Sequence, residues 1–259
     1  MGKVFLIGAG PGDAELLTVK AVRVLERADV VLHDSLVSAE VMSLVAPQAQ
    51  IVDVGKRAGQ KLLTQDEINS LLVAYAEKHE IVVRLKGGDP LLFGRASEEM
   101  DALRIANVPF DVVPGISAAF GAAAAARFSL TDRRAASQVL FTTFSRGDSV
   151  KSLGWREVTA DTTLAIYMPG TEYSEVAARL VDAGLSAETP CAVISQATRE
   201  EQQIRWLNIS ALFKEQKLPA PSVLIVGRVA TQDVREIGAK VPAVSLEKTE
   251  AGLQSWLKN

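Results

Sequence analysis

Two α/β halves, each a sheet flanked by helices, are predicted by three features of the sequence. Short runs rich in Val, Ile and Leu alternate with longer segments whose apolar residues recur at helical spacing. Glycine-bearing turns stand where the runs end, at GAGPG from Gly8, GKRAG from Gly55 and KGGDP from Lys86. The alternation closes at Pro114 and Gly115 and then starts again in the same style without repeating the sequence. The expected division is an N-terminal α/β domain over residues 1–115, a C-terminal α/β domain over 116–239 and a tail over 240–259.

The opening KVFLIG is an apolar strand that breaks into a glycine-rich turn, and the helix after it sets Leu17, Ala21, Val24 and Leu25 at helical spacing. A dinucleotide-binding unit begins in the same way, but its third glycine falls here at Asp13, whose charge repels a pyrophosphate, and no P-loop lysine follows. Val30 to His33 is a short strand ending in Asp34, Ser38 caps a short helix, and Ile51 to Val54 is the next strand. Thr64, with Glu67 three residues on, forms the capping box of a helix whose Ile68, Leu71, Leu72 and Tyr75 share one face. A helix from Ser97 to Asn107 leads into the strand PFDVV. In the second half an alanine-rich helix within ISAAFGAAAAARF offers little to water, and the strands QVLFTTF, TLAIY, CAVIS, QIRWLNI and SVLIV are joined in part by the helix YSEVAARLVDAG.

Composition narrows the function classes. A chain of 259 residues that is 48% hydrophobic has the means to bury a sizeable core. Its net charge of −3 gives no general attraction to nucleic acid or to an anionic membrane, so an anionic ligand must be met by a local cluster of cations. Cys191 is the single cysteine, which excludes an internal disulfide and a cysteine-built metal site, and His33 and His79 are the only histidines. No secretory leader pattern and no membrane-length apolar run is visible, so a cytoplasmic protein is expected.

The most informative stretch is VVRLKGGDPLLFGR, from Val82 to Arg95. It is a strand, a turn and the approach to a helix, and open α/β sheets hold small molecules at such carboxyl ends. Gly87 and Gly88 let backbone approach a ligand closely, while Pro90 stops the strand. Asp89 either caps the next helix or accepts from a ligand hydroxyl or ammonium group, and the turn alone leaves both open. Met168 fits core packing as well as a ligand wall, and Ser117 fits a helix N-cap as well as a ligand contact.

The blocks GAGPGDAELLT, ADVVLHDSLVS, VGKRAG, RLKGGDPLLFGR, VPGIS, YMPG and SVLIVGRV occur in order from about Val4 to Val229. Together they make the chain similar to the uroporphyrinogen-III C-methyltransferases of the tetrapyrrole methylase family. That resemblance implies two α/β domains with S-adenosylmethionine in the cleft between them, a homodimer, and transfer of methyl groups to pyrrole carbons of uroporphyrinogen III, giving precorrin-2 by way of precorrin-1. It sets the cofactor against Pro11, Gly87, Gly88, Asp89, Leu92, Ser117, Ala118, Met168 and Ala197. It also implies Asp34 as proton acceptor and Lys56 as proton donor or carboxylate anchor. Read without it, Asp34 caps the turn before Ser38 and Lys56 is solvated beside Arg57.

Methyl transfer from a sulfonium asks for alignment and exclusion of water rather than a metal. An eight-carboxylate substrate on an acidic protein asks for concentrated cations, and Lys56, Arg57, Lys61, Arg95, Arg127, Arg133, Arg134 and Arg146 are the candidates. Four positions depart from the family's common pattern: Ser35, Asp132, the pair Phe144 and Ser145, and Ala197. The first three bear on how substrate carboxylates are held. A sister methylase acting on a later corrin precursor or making diphthine, and a cofactor-binding protein without turnover, share the same cofactor loops.

Overall fold

The computed structural model describes residues 1–55, 63–144, 158–170 and 172–233. Lys56, Arg57, Lys61, Arg146 and the expected tail over 240–259 lie outside the described residues.

The first half is a parallel sheet of β1 (Lys3–Gly8), β2 (Val30–His33), β3 (Gln50–Asp53), β4 (Ile81–Lys86) and β5 (Phe110–Val113), in the order β3-β2-β4-β1-β5. Val4, Leu6, Ile7, Val82, Val83 and Leu85 on the two central strands are fully buried, as strands covered on both faces must be. One face packs α3 (Gln65–Lys78) and α4 (Ala96–Ile105) through Ile68, Leu72 and Leu103. The other packs α1 (Val19–Leu25) and α2 (Ala39–Met42) through Ala21, Leu25 and Val41. The capping box at Thr64 is present, and Ala76 joins the buried face of α3 while Leu71 and Tyr75 lie partly buried beside it.

This topology opens a crevice. Strands β1 and β4 are neighbours, yet the helix after β1 covers one face of the sheet and the helix after β4 covers the other. Their two loops therefore diverge at the carboxyl edge, which is where α/β sheets receive ligands.

The second half is a mixed sheet of β6 (Gln138–Thr143), β7 (Thr162–Tyr167), β8 (Pro190–Ser195), β9 (Gln203–Asn208) and β10 (Ser222–Val226), in the order β6-β7-β10-β8-β9. Only β6 and β7 pair in parallel. One face carries α6 (Tyr173–Asp182) and α7 (Ile209–Leu212), a single-turn helix that the sequence pattern does not announce. The other face carries α5 (Ala118–Ala125), whose Ala119, Ala122 and Ala123 pack with Ala165, Ala192, Ile194 and Ile225. The alanines thus let a helix sit close on the second sheet, directly above the loops of the first. Phe120 is the one large apolar side chain of α5 and it is exposed, while Ala119, Gly121, Ala122 and Ala123 are buried.

Candidate active site

Three loops of the first sheet meet backbone to backbone. Gly10 and Gly88 exchange hydrogen bonds, N–H to carbonyl, at 3.2 and 2.8 Å. A Cβ on Gly8 would fall 2.6 Å from both Gly115 N and Gly88 O, so no larger residue fits there without moving main chain. Gly88 itself has φ of +68°, a left-handed conformation that glycine adopts without penalty. Asp89 holds this junction together: Oδ1 accepts from Leu91 N at 2.8 Å and Oδ2 from Gly115 N at 3.0 Å. It does not cap α4, whose N-cap is Arg95. A carboxylate has about four acceptor sites, so these two bonds leave capacity for a ligand.

The second half closes over the junction. Tyr167 lies over Ser117: the two hydroxyls hydrogen-bond, and Ala119 N donates to Tyr167 Oη at 3.1 Å. Ser117 occupies the N-cap position of α5 but makes no capping bond with its side chain, because its hydroxyl is committed to Tyr167. Burial raises the Tyr167 phenol above its ordinary pKa, which keeps it protonated. Farther round, Asp13 N donates to Thr198 Oγ1 at 3.1 Å, and Arg199 lays its stem on Gly12 and donates through Nη2 to Leu36 O.

A cavity of about 470 Å³ remains between the halves, within the size range of sites for small ligands. Its lining includes Pro11, Asp34, Gly87, Gly88, Asp89, Leu92, Ser117, Ala118, Met168 and Ala197, so every described residue named above for cofactor or catalysis faces one space. Leu92, Ile194, Ala197 and Val223 make apolar wall, and the glycine loops present main chain, a surface suited to a flat heterocycle bearing a polar chain. Backbone strain concentrates here: Phe93 and Met168, which line the cavity, and Gln196 and Thr198, which flank Ala197, all have positive φ. Met168 is 48% exposed and borders the cavity, so it is not packed in the core.

Below the Asp34 end lies a group of charges that sequence reasoning missed. Arg84 and Lys86, two residues apart on β4, point to the same face. Glu99 on α4 is fully buried, and its Oε1 accepts from Arg84 Nε at 2.9 Å, Lys86 Nζ at 2.9 Å and Gln65 Nε2 at 3.4 Å. Arg84 Nη2 donates to Asp34 Oδ1 at 2.5 Å, and Nη1 reaches the carbonyls of Leu32 and Leu85 at 3.4 and 3.2 Å. Burial alone would lower the Arg84 pKa, but the charges of Asp34 and Glu99 outweigh it and the pKa is raised. Burial and then the Arg84 charge pull Lys86 below its ordinary value despite Glu99. The signal was present in VVRLK, two cations inside a buried strand, followed by the acidic pair at Glu98 and Glu99.

The other cation candidates are scattered. Arg95 pairs with Glu98 at 2.7 Å and Arg134 with Asp132 at 2.6 Å, both on the surface. Arg127 and Arg134 border a second cavity of about 450 Å³ that shares no lining residue with the first. Among the described residues, the cations that line the first cavity are Lys86, Arg199 and Lys217.

The family described as Tetrapyrrole (Corrin/Porphyrin) Methylases matches residues 3–212. A uroporphyrinogen-III C-methyltransferase from Paracoccus denitrificans is 46% identical over 89% of this chain and 82% of its own length. A siroheme synthase from Sodalis glossinidius is 44% identical over 88% of this chain and 49% of its own, and the chain spans about half the length of several such relatives. Among solved structures, a uroporphyrin-III C-methyl transferase from Thermus thermophilus complexed with S-adenosylhomocysteine superposes with a TM-score of 0.77 at 35% identity, over 88% of this chain and 98% of that one.

Proposed function

This chain belongs to the tetrapyrrole (corrin/porphyrin) methylase family, and we propose that it moves methyl groups from S-adenosylmethionine to pyrrole carbons of uroporphyrinogen III, giving precorrin-2 by way of precorrin-1. The observation that carries this reading is the cavity between the halves, in which glycine main chain, apolar wall and the Asp34 carboxylate converge.

The bound co-substrate supplies a methyl group on a sulfonium, already activated for attack by an electron-rich carbon. Pro11, Gly87, Gly88, Asp89, Leu92, Ser117, Ala118, Met168 and Ala197 hold it in this reading. The apolar wall excludes water, and alignment of the two reactants then supplies most of the rate. Methylation leaves a proton to be lost, and Asp34 takes it. Its Oδ1 is engaged by Arg84, whereas Oδ2 has no hydrogen-bond or ion-pair partner among the described residues, and the side chain is 28% exposed. Lys56 is proposed as proton donor or carboxylate anchor by its family position. Arg199 and Lys217 add positive charge for a polycarboxylate, whereas the charge of Lys86 is matched by Glu99.

The reading extends to a homodimer of cytoplasmic chains, each divided near residues 115 and 239. The division is supported by α5, which follows β5 in the chain but packs on the second sheet. No described helix is long and apolar enough to cross a membrane. The deciding experiment is incubation with methyl-labelled S-adenosylmethionine and uroporphyrinogen III, followed by product mass. One or two labelled methyl groups on the tetrapyrrole are expected, and an unchanged substrate mass would reject the assignment.

A further inference from the structure

We propose that Arg84 is a positioning residue for methyl transfer: it fixes the Asp34 carboxylate at the cavity, and Glu99 in turn fixes Arg84. The inference rests on the reading of Asp34 as proton acceptor and adds the residues through which that carboxylate is held.

The geometry is a relay of fixed contacts. The guanidinium is a planar fork, and here Nη2 engages Asp34 Oδ1 at 2.5 Å while Nε engages Glu99 Oε1 at 2.9 Å. Two main-chain carbonyls, Leu32 O and Leu85 O, take Nη1. Arg84 is therefore held by two carboxylates and two strands, with its side chain 3% exposed. Asp34 sits just beyond β2, and its own N–H donates to Leu85 O at 3.2 Å, so its main chain is tied to the same strand that carries Arg84. With main chain and Oδ1 both anchored to β4, rotation of the carboxylate is restricted and Oδ2 is left for the substrate.

Charge balance explains why the arrangement tolerates burial. Arg84 and Lys86 oppose Asp34 and Glu99, two of each sign, so no net charge is withdrawn from water. Glu99 Oε2 has no hydrogen-bond partner among the described residues. A fully buried carboxylate with one idle oxygen is a costly way to gain stability alone. It is a suitable way to hold a cation in a chosen place, because every donor it serves converges on Oε1.

The proposal makes Arg84 act only through Asp34, which a double-mutant comparison reads directly. At saturating S-adenosylmethionine and uroporphyrinogen III, Arg84→Met is expected to lower kcat ten- to a hundredfold, the scale of a reacting group displaced by about an ångström. Affinity for S-adenosylhomocysteine by calorimetry is expected to stay within about twofold, a split that general damage to the fold would not give. In an Asp34→Asn background the same substitution is expected to leave kcat unchanged. Arg84→Lys keeps the charge but cannot serve Asp34 and Glu99 with one fork, and is expected to fall between wild type and Arg84→Met. Should Arg84→Met fail to fold, Arg84→Met with Glu99→Gln removes one charge of each sign and is used in both backgrounds. Multiplying effects of the Arg84 and Asp34 changes, or a full-speed Arg84→Met, would overturn the proposal while Asp34→Asn stays slow. A full-speed Asp34→Asn would instead overturn the proton-acceptor reading, and the proposal with it.

Discussion

Lys86 Nζ stands 2.9 Å from Glu99 Oε1, and neither side chain is more than 3% exposed. Removing one partner from such a pair leaves the other as an uncompensated buried charge, at a cost of about 3–5 kcal/mol. Lys86→Met should therefore lower the unfolding free energy by that order. Adding Glu99→Gln should recover most of it, since Arg84 and Asp34 then balance. Urea unfolding of the two variants checks this, and equal losses would show that the Lys86 charge is not what Glu99 requires.

The glycine junction gives a prediction that dihedral angles alone would order the other way. Gly88 has positive φ, but a Cβ there meets nothing nearer than Ala118 N at 3.6 Å. Gly8 lacks that conformation, yet its Cβ would strike main chain at 2.6 Å. Gly88→Ala should cost about 1–2 kcal/mol of left-handed strain. Gly8→Ala should cost more, because two loops must part, and should also weaken S-adenosylhomocysteine binding. Thermal unfolding and calorimetry on both variants give the order.

Tyr167 serves two groups with one hydroxyl. Tyr167→Phe strands Ala119 N and the Ser117 hydroxyl in a half-closed space, which should cost about 1–3 kcal/mol. Ser117→Ala removes one of the stranded groups, so the double variant should lose less than the two single losses added. Denaturant midpoints decide it, and strict additivity would mean that the two hydroxyls act separately.

Cys191 is buried on β8, and burial pushes its thiol from an ordinary 9.0 up to about 12. Between those values an unfolded chain ionises the thiol and the folded chain does not. This group's contribution to stability is thus complete below pH 9 and falls as pH rises toward 12. At pH 8 an alkylating reagent should leave native protein unmodified and label it as fast as it unfolds. Prompt labelling of native protein would show that β8 opens locally.

The sheets and the cavity were legible in the sequence for a physical reason. Strand runs and glycine turns are local patterns, and a parallel sheet brings all its carboxyl ends to one edge, so GAGPG, HDS and KGGDP had to meet there. What stayed hidden depends on long-range contact. Nothing local tells that Ser117 gives its hydroxyl to Tyr167, or that Asp89 staples Gly115 instead of capping α4. Arg84, Lys86 and Glu99 were visible as letters but not as a group, because β4 and α4 bring them together only once the sheet is packed. The alanine-rich helix reads as one that offers little to water, but composition does not say which neighbour covers its small-residue face.

The contacts that join the two halves span most of the chain, with Asp13 bonded to Thr198 across 185 residues. During synthesis at roughly 5–20 residues per second, the first glycine loop waits on the order of ten seconds or more for its far wall. Closing so long a loop carries an entropic cost that no short-range contact offsets early. A growing chain can therefore finish its first sheet without a pocket able to retain a ligand, and binding competence waits until the strands and loops of the second sheet have been made.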